Sequence, residues 1–313
     1  MYFLCDESGA FDLQINPSKE WRNAVVGGIL IGYKARCWWR KNCFKYPKKA
    51  TDFIPSQMIT VLDSLIDCKA IGKCHVIHLT VDLDEAKQCQ DDLILPLFNE
   101  GDRQPKGLKF SFYDHLKRFQ EMKPQTFVKV WTLLRLMTEG VFSYLSCVGK
   151  RRSQDQRGLN IIIDDQPEQT LPILEDFIWF FLHSFVVNGT FASSSGIPKS
   201  MERYSHLDGQ NQGVDLMSII NIRVGKQGEK LDDKCPELRL ADIICNFMNR
   251  GFKGELPENV CSLLKKVCDL HPVYFGNGPG ISANIPPSAR PGVTSLGLTS
   301  QPDHVRSKIR KLY

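Results

Sequence analysis

Two short apolar runs, far apart in the chain, both end in acid. Met1-Tyr2-Phe3-Leu4-Cys5 leads straight into Asp6-Glu7-Ser8-Gly9, and Leu159-Asn160-Ile161-Ile162-Ile163 leads into Asp164-Asp165. Five residues rich in strand formers make one buried strand and little more, so each acid falls where its strand leaves the core. Gly9 then lets the chain turn. A third acid, Asp242, lies in the helical run from Glu237 to Met248. At about 100° per residue, Leu238, Ala241, Ile244, Cys245 and Met248 cover one apolar arc of that helix, while Arg239, Asn246 and Arg250 lie opposite. Asp242 falls at the edge of the arc, where an acid reaches the rim of a sheet without being buried unpaired.

Taken singly, each acid is an ordinary strand exit or cap. Taken together, they have the composition of a cation site. Hard divalent ions want oxygen ligands from several carboxylates, and a pair of ions clamps the attacking and leaving oxygens of a phosphoryl displacement. The expectation is a site for Mg²⁺ or Mn²⁺, with two ions, acting on a phosphodiester.

The segments Phe3 to Gly9, Ile161 to Asp164 and Leu238 to Ile244 carry a resemblance. The chain resembles the bacterial and phage family called domain of unknown function 3800, whose members open with an Asp-Glu-Ser-Gly strand end and carry a late Leu-Ala-Asp helix. That family is similar to the ribonuclease H superfamily, in which the first strand, the fourth strand and a late helix supply the metal-binding acids. The resemblance implies those roles for Asp6, Asp164 and Asp242, with Asp6 bridging the two ions, the other two acids holding one each, and water as nucleophile. Glu7 shares the opening motif, although neighbouring strand residues face opposite ways unless the strand has ended. Asp165 is the alternative to Asp164 on the same ground. The resemblance also draws attention to His78, since the family often carries a histidine in its third strand near the site.

The expected fold is α/β, a ribonuclease H-like mixed sheet of about five strands with helices on both faces. A second strand is expected over Arg22 to Gly32, a helix over Pro55 to Ile71, and a third strand over Cys74 to Val81. A helical insertion fills about 84–149, its longest helix running from Thr126 to Val148. Leu171 to Val187 reads as an apolar helix with Trp179, Phe180, Phe181 and Phe185 in the core, and Leu216 to Val224 as a fifth strand. The polar stretches Lys150 to Arg157 and Ser193 to Gly213 read as loops, and Asp232-Asp233-Lys234 as a solvated turn. The domain is expected to end near 270, with 271–313 a Gly/Pro/Ser-rich tail that turns basic at its end.

Charge and cysteine distribution narrow the partners. Between Tyr33 and Ala50 lie Lys34, Arg36, Arg40, Lys41, Lys45, Lys48 and Lys49 with no acid, interleaved with Trp38, Trp39, Phe44 and Tyr46. Basic groups attract phosphates and aromatic faces accept unstacked bases, so Arg40, Lys41 and Lys45 are candidate nucleic-acid contacts. The competing reading is a solvated helix face whose tryptophans pack on the core. The eleven cysteines contain no CxxC pair and read as reduced, small apolar side chains in a cytoplasmic protein. Cys68, Cys74, His75 and His78 come nearest to zinc spacing, but Cys74 and His75 are adjacent and point apart on a strand. No apolar stretch approaches the ~20 residues that span a bilayer. The expected activity is therefore a metal-dependent nuclease or related phosphodiester-transfer hydrolase, with a non-catalytic nucleic-acid-binding or regulatory module as the alternative.

Overall fold

The computed structural model describes residues 1–9, 22–79, 83–101, 106–147, 154–178, 205–208, 211–214, 219–229 and 234–275. Their strands are β1 (Tyr2–Gly9), β2 (Arg22–Ile31), β3 (Ile71–Leu79), β4 (Leu159–Gln166), β5 (Ser205–Asp208), β6 (Asn211–Val214), β7 (Ile220–Lys226) and β8 (Cys268–Phe275). The helices are α1 (Tyr33–Asn42), α2 (Pro55–Asp67), α3 (Leu83–Gly101), α4 (Lys106–Glu121), α5 (Pro124–Cys147), α6 (Leu171–Glu175), α7 (Arg239–Phe252) and α8 (Glu258–Val267). Six strands form one mixed sheet in the order β7-β4-β1-β2-β3-β8, and β5 pairs with β6 apart from it. The first three strands form an antiparallel meander. β4 lies parallel to β1, β7 parallel to β4, and β8 parallel to β3.

Strand periodicity divides the core in two. Phe3 and Cys5 of β1, with Ile161 and Ile163 of β4, pack among residues of α3, α4 and α5. Leu4 and Ile162, one position out of step, pack on the other face with Trp39, Leu62, Ile244 and Leu264 of α1, α2, α7 and α8. Helices therefore cover both faces of the α/β sheet, and the segment expected as a helical insertion forms α3, α4 and α5. Long apolar α5 buries Phe127, Val130, Leu133, Leu134, Met137, Val141 and Tyr144, the positions its helical spacing selects.

Several boundaries differ from expectation: α2 stops at Asp67, so that β3 already begins at Ile71, and the helix expected from Leu171 breaks after Glu175. β1 does not stop at Asp6; it runs on to Gly9 while paired with β2, from Asp6↔Gly27 to Gly9↔Ala24. Its parallel pairing with β4 does stop, at Cys5↔Ile163, so the acid marks an exit on one side of the strand only. The fifth strand of the sheet begins at Ile220 rather than Leu216. A sixth, β8, carries the fold past residue 270 to Phe275. Val273, Tyr274 and Phe275 are strong strand formers, and Pro272 is tolerated because β8 is an edge strand. The remainder of the expected tail, Trp179 to Val187, Lys150 to Ser153, Asp232 and Asp233 lie outside the described residues. Within the expected loop 193–213, strand β5 and most of β6 are described.

Helix α5 crosses the sheet at very short range. A Cβ on Gly140 would lie 2.4 Å from Cδ1 of Phe3, a ring that is itself fully buried. Helix propensity favours alanine over glycine by about 1 kcal/mol, but overpacking a filled core costs about 1–3 kcal/mol. Gly140→Ala is therefore expected to lower the urea midpoint of unfolding. An unchanged or raised midpoint would show that this crossing has slack.

Candidate active site at the end of the central strand

The acids converge because three backbone features coincide at one rim. β1 and β4 run parallel in register through Cys5↔Ile163, which brings Asp6 and Asp164 to the same end of neighbouring strands. β4 then breaks step with β7: Ile163 pairs with Val224, Asp165 with Gly225, and Asp164 is the extra residue of a bulge. Bulges re-aim side chains, and here the acid is the residue freed from the ladder. Helix α7 supplies the third element. Cys245 Sγ donates to the carbonyl oxygen of Asp6 at 3.3 Å, and Asn249 Nδ2 donates to Ser8 Oγ at 3.3 Å, so α7 lies along the last half of β1. Asp242 sits in the first turn of α7, where the helix dipole favours a carboxylate.

Electrostatics place Asp6 at the centre. Burial raises its pKa well above the ordinary carboxylate value, and Asp164, Asp242 and Glu7 push in the same direction. The Glu7 backbone N–H, donating to Asp6 Oδ1 at 2.7 Å, opposes the shift without cancelling it. A basic side chain is not among the principal influences on Asp6.

The neighbouring acids divide by face. Glu7 points to the α5 side of the sheet, where it forms an ion pair with Lys129, away from the face that Asp6 shares with Leu4. Asp165 Oδ2 accepts from the Gly228 backbone N–H at 3.2 Å and so pins the turn after β7. Asp6, Asp164 and Asp242 thus form the interacting set. Their hard oxygens and mutual repulsion suit a divalent cation in kind. They do not by themselves enclose one: among the described residues no group of three or more His, Cys, Asp or Glu side chains could hold a metal ion.

The cysteine and histidine candidates do not gather. Cys74 faces α7, with Cys268 Sγ 3.3 Å from its own Sγ, whereas His75 faces α5 and lies 3.1 Å from Glu139 Oε2. Cys68 ends α2. The His78 side chain lies outside the described residues. Burial pushes the Cys74 thiol well up and the Cys245 thiol to about 11, so both stay protonated.

The basic aromatic segment splits between its two readings. Trp39 is fully buried and stacks with Tyr46 at 5.8 Å, which stacks in turn on Phe53 at 5.8 Å. Arg40 Nε donates to the buried Glu237 at 2.7 Å, so its guanidinium is held in a structural ion pair. Lys41, Lys45, Lys48 and Lys49 face solvent, as does Phe44 at 76% exposure, with Lys45 Nζ 5.8 Å from the Phe44 ring centre.

Two side chains at the site were not singled out by sequence, Ser8 and Asn249. The available signal was the spacing Asp242, Asn246, Asn249, which puts one acid and two amides along one side of a helix. Comparison with family models, curated proteins and solved structures returns no match to this chain.

The raised pKa of Asp6 has a definite pH signature in metal-free protein. Below the unfolded carboxylate value of about 4 both states are protonated, and the cost of the buried charge is absent. As pH rises through that value towards the higher folded-state value, the folded state alone keeps its proton, and stability falls. In EDTA, Asp6→Asn is expected to raise the urea midpoint relative to wild type at pH 7, with the gap closing as pH approaches 4. A gap that is absent at pH 7, or unchanged by acid, would contradict the assignment.

Proposed function

We propose that the chain is a divalent-metal-dependent nuclease of ribonuclease H-like architecture, related to the family called domain of unknown function 3800. One observation carries the reading: Asp6 feels the charge of both Asp164 and Asp242, acids drawn from the first strand, the fourth strand and a late helix. Clustered carboxylates cost stability unless a cation joins them, and that cost is the mark of a functional site more than of a structural one. The location agrees, since ligands of α/β sheets bind beyond the carboxyl ends of parallel strands.

Asp6, Asp164 and Asp242 would hold the cation. A pair of Mg²⁺ or Mn²⁺ ions bound there would supply a polarised water and stabilise charge on the scissile phosphate. The chain itself contributes positioning. Cys245 and Asn249 fix α7 against β1, the bulge turns Asp164 out of the ladder, and the Glu7 N–H orients the Asp6 carboxylate. Exposed Lys41 and Lys45 draw the polyanion in, and Arg40 braces the scaffold through Glu237. A non-catalytic nucleic-acid-binding module is the second reading. It is favoured by the acids' failure to enclose an ion position unaided.

Millimolar Mg²⁺ or Mn²⁺ is expected to raise the thermal midpoint of wild type, because the ion binds the folded state only. Asp6→Asn and Asp242→Asn should lose most of that shift and reduce cleavage of nucleic acid at least 100-fold, about 2.7 kcal/mol of barrier. Ca²⁺ should bind while supporting little cleavage. Full metal shifts in both variants would leave the binding module as the better account. For that module and the nuclease alike, Lys41→Gln with Lys45→Gln should lower the salt slope of nucleic-acid binding by about 1–2. An unaltered slope would return these lysines to a solvated surface.

A further inference from the structure

The side of α7 that meets β1 carries oxygen donors beyond Asp242. At about 100° per residue, Asp242, Asn246 and Asn249 fall within one narrow stripe. Asn249 is only 6% exposed; its Nδ2 donates to Ser8 Oγ at 3.3 Å, and its Oδ1 has no partner. The Oδ1 of Asn246 is likewise buried and without a hydrogen bond. An unsatisfied buried acceptor costs about 1–3 kcal/mol, so two on one side of a helix are a substantial liability unless something joins them.

Their position identifies what joins them. Ser8 lies two residues beyond Asp6 and therefore on the same face of β1. Cys245, next to Asn246 in sequence and one turn before Asn249, contacts the Asp6 backbone. The stripe is thus held against the acid site at two points. A neutral hydrogen-bond donor would satisfy the amides but leave the carboxylates repelling one another. A cation satisfies both. Amide carbonyls are hard, neutral oxygen ligands of the kind that Mg²⁺ and Mn²⁺ accept alongside carboxylates.

We infer that Asn246 and Asn249 belong to the ion-binding set, their amide oxygens supplementing Asp6, Asp164 and Asp242 in holding a hard divalent cation. This rests on the carboxylate site being a cation site and adds to it the donors that the acids lack. The carboxylates supply charge, and the amides supply oxygens without further repulsion. Ser8 is a positioning residue that fixes the rotamer of Asn249.

Calorimetric titration of the full chain with MnCl₂, without nucleic acid, tests the assignment. Asn246→Ala and Asn249→Leu are each expected to weaken Mn²⁺ binding at least 10-fold; the EDTA thermal midpoint of Asn246→Ala stays close to wild type because the change removes an unsatisfied acceptor, whereas Asn249→Leu also loses the bond to Ser8. Asn249→Asp, which keeps the oxygen and adds charge, should bind Mn²⁺ at least as tightly as wild type. This rescue distinguishes a ligand from a packing residue. It also keeps the test decisive should Asn249→Leu fold poorly, since Asn246 is only partly buried. Wild-type affinity in Asn246→Ala and Asn249→Leu, or in Asn246→Ala alone should Asn249→Leu fold poorly, together with loss of binding in Asp6→Asn, would overturn the role of the amides and leave the carboxylate site standing. Absence of Mn²⁺ binding by wild type at millimolar concentration would overturn both.

Discussion

Helix α7 lies against β1 and β2 only because residue 27 has no side chain. A Cβ there would come within 2.6 Å of Cys74 Sγ and 2.7 Å of Cys245 Sγ. Gly27 is also the cross-strand partner of Asp6, so the close approach occurs beside the central acid. The α7 side of the site follows from that contact. It brings Cys245 to the Asp6 carbonyl and Asn249 to Ser8, and it carries Asp242 into the field of Asp6.

The approach is held from the far end by a buried charge. Glu237, fully buried ahead of α7, accepts from Arg36 Nε at 3.1 Å and from Arg40 Nε at 2.7 Å, while Trp39 Nε1 donates to the Pro236 carbonyl at 2.7 Å. Burial pushes the Glu237 carboxyl up, and the hydrogen bonds from the two arginines outweigh it and leave it below the usual value. Such a pair adds little over an apolar replacement, yet losing one partner is costly because a bare charge stays behind. It specifies where α7 begins. The basic helix α1 is therefore two things at once: an inner face that anchors α7 and an outer face of exposed lysines. At the rim, by contrast, burial and the charges of Asp164, Asp242 and Glu7 all raise the Asp6 pKa, and this contrast between paired Glu237 and crowded Asp6 is what supports the proposed role of the latter.

How much of this could be read from sequence depends on the range of the interaction. The five-residue apolar runs ending at Asp6 and Asp164, and the helical spacing around Asp242, are local patterns, and each formed the element it predicts. The opposite facing of Glu7 and Asp6 follows from strand alternation and was equally legible. Arg40 was not, since its partner Glu237 lies 197 residues away and no local pattern pairs them. The bulge at Asp164 depends on register with β7, a property of two strands rather than of one. Asn246 was placed opposite the apolar arc of its helix, yet its amide oxygen is buried. The sixth strand was hidden by composition: a stretch read as tail begins with residues that pair along the edge of β3.

The central claim is that the rim formed by β1, β4 and α7 is a divalent-cation site. A crystal of the protein grown or soaked in saturating Mn²⁺, with anomalous data collected at the manganese edge, tests it most directly. The account predicts anomalous peaks bounded by the carboxylates of Asp6, Asp164 and Asp242, with two ions about 3.5–4 Å apart when the site is full. Manganese bound only elsewhere on the protein, with no density at Asp6, would contradict it.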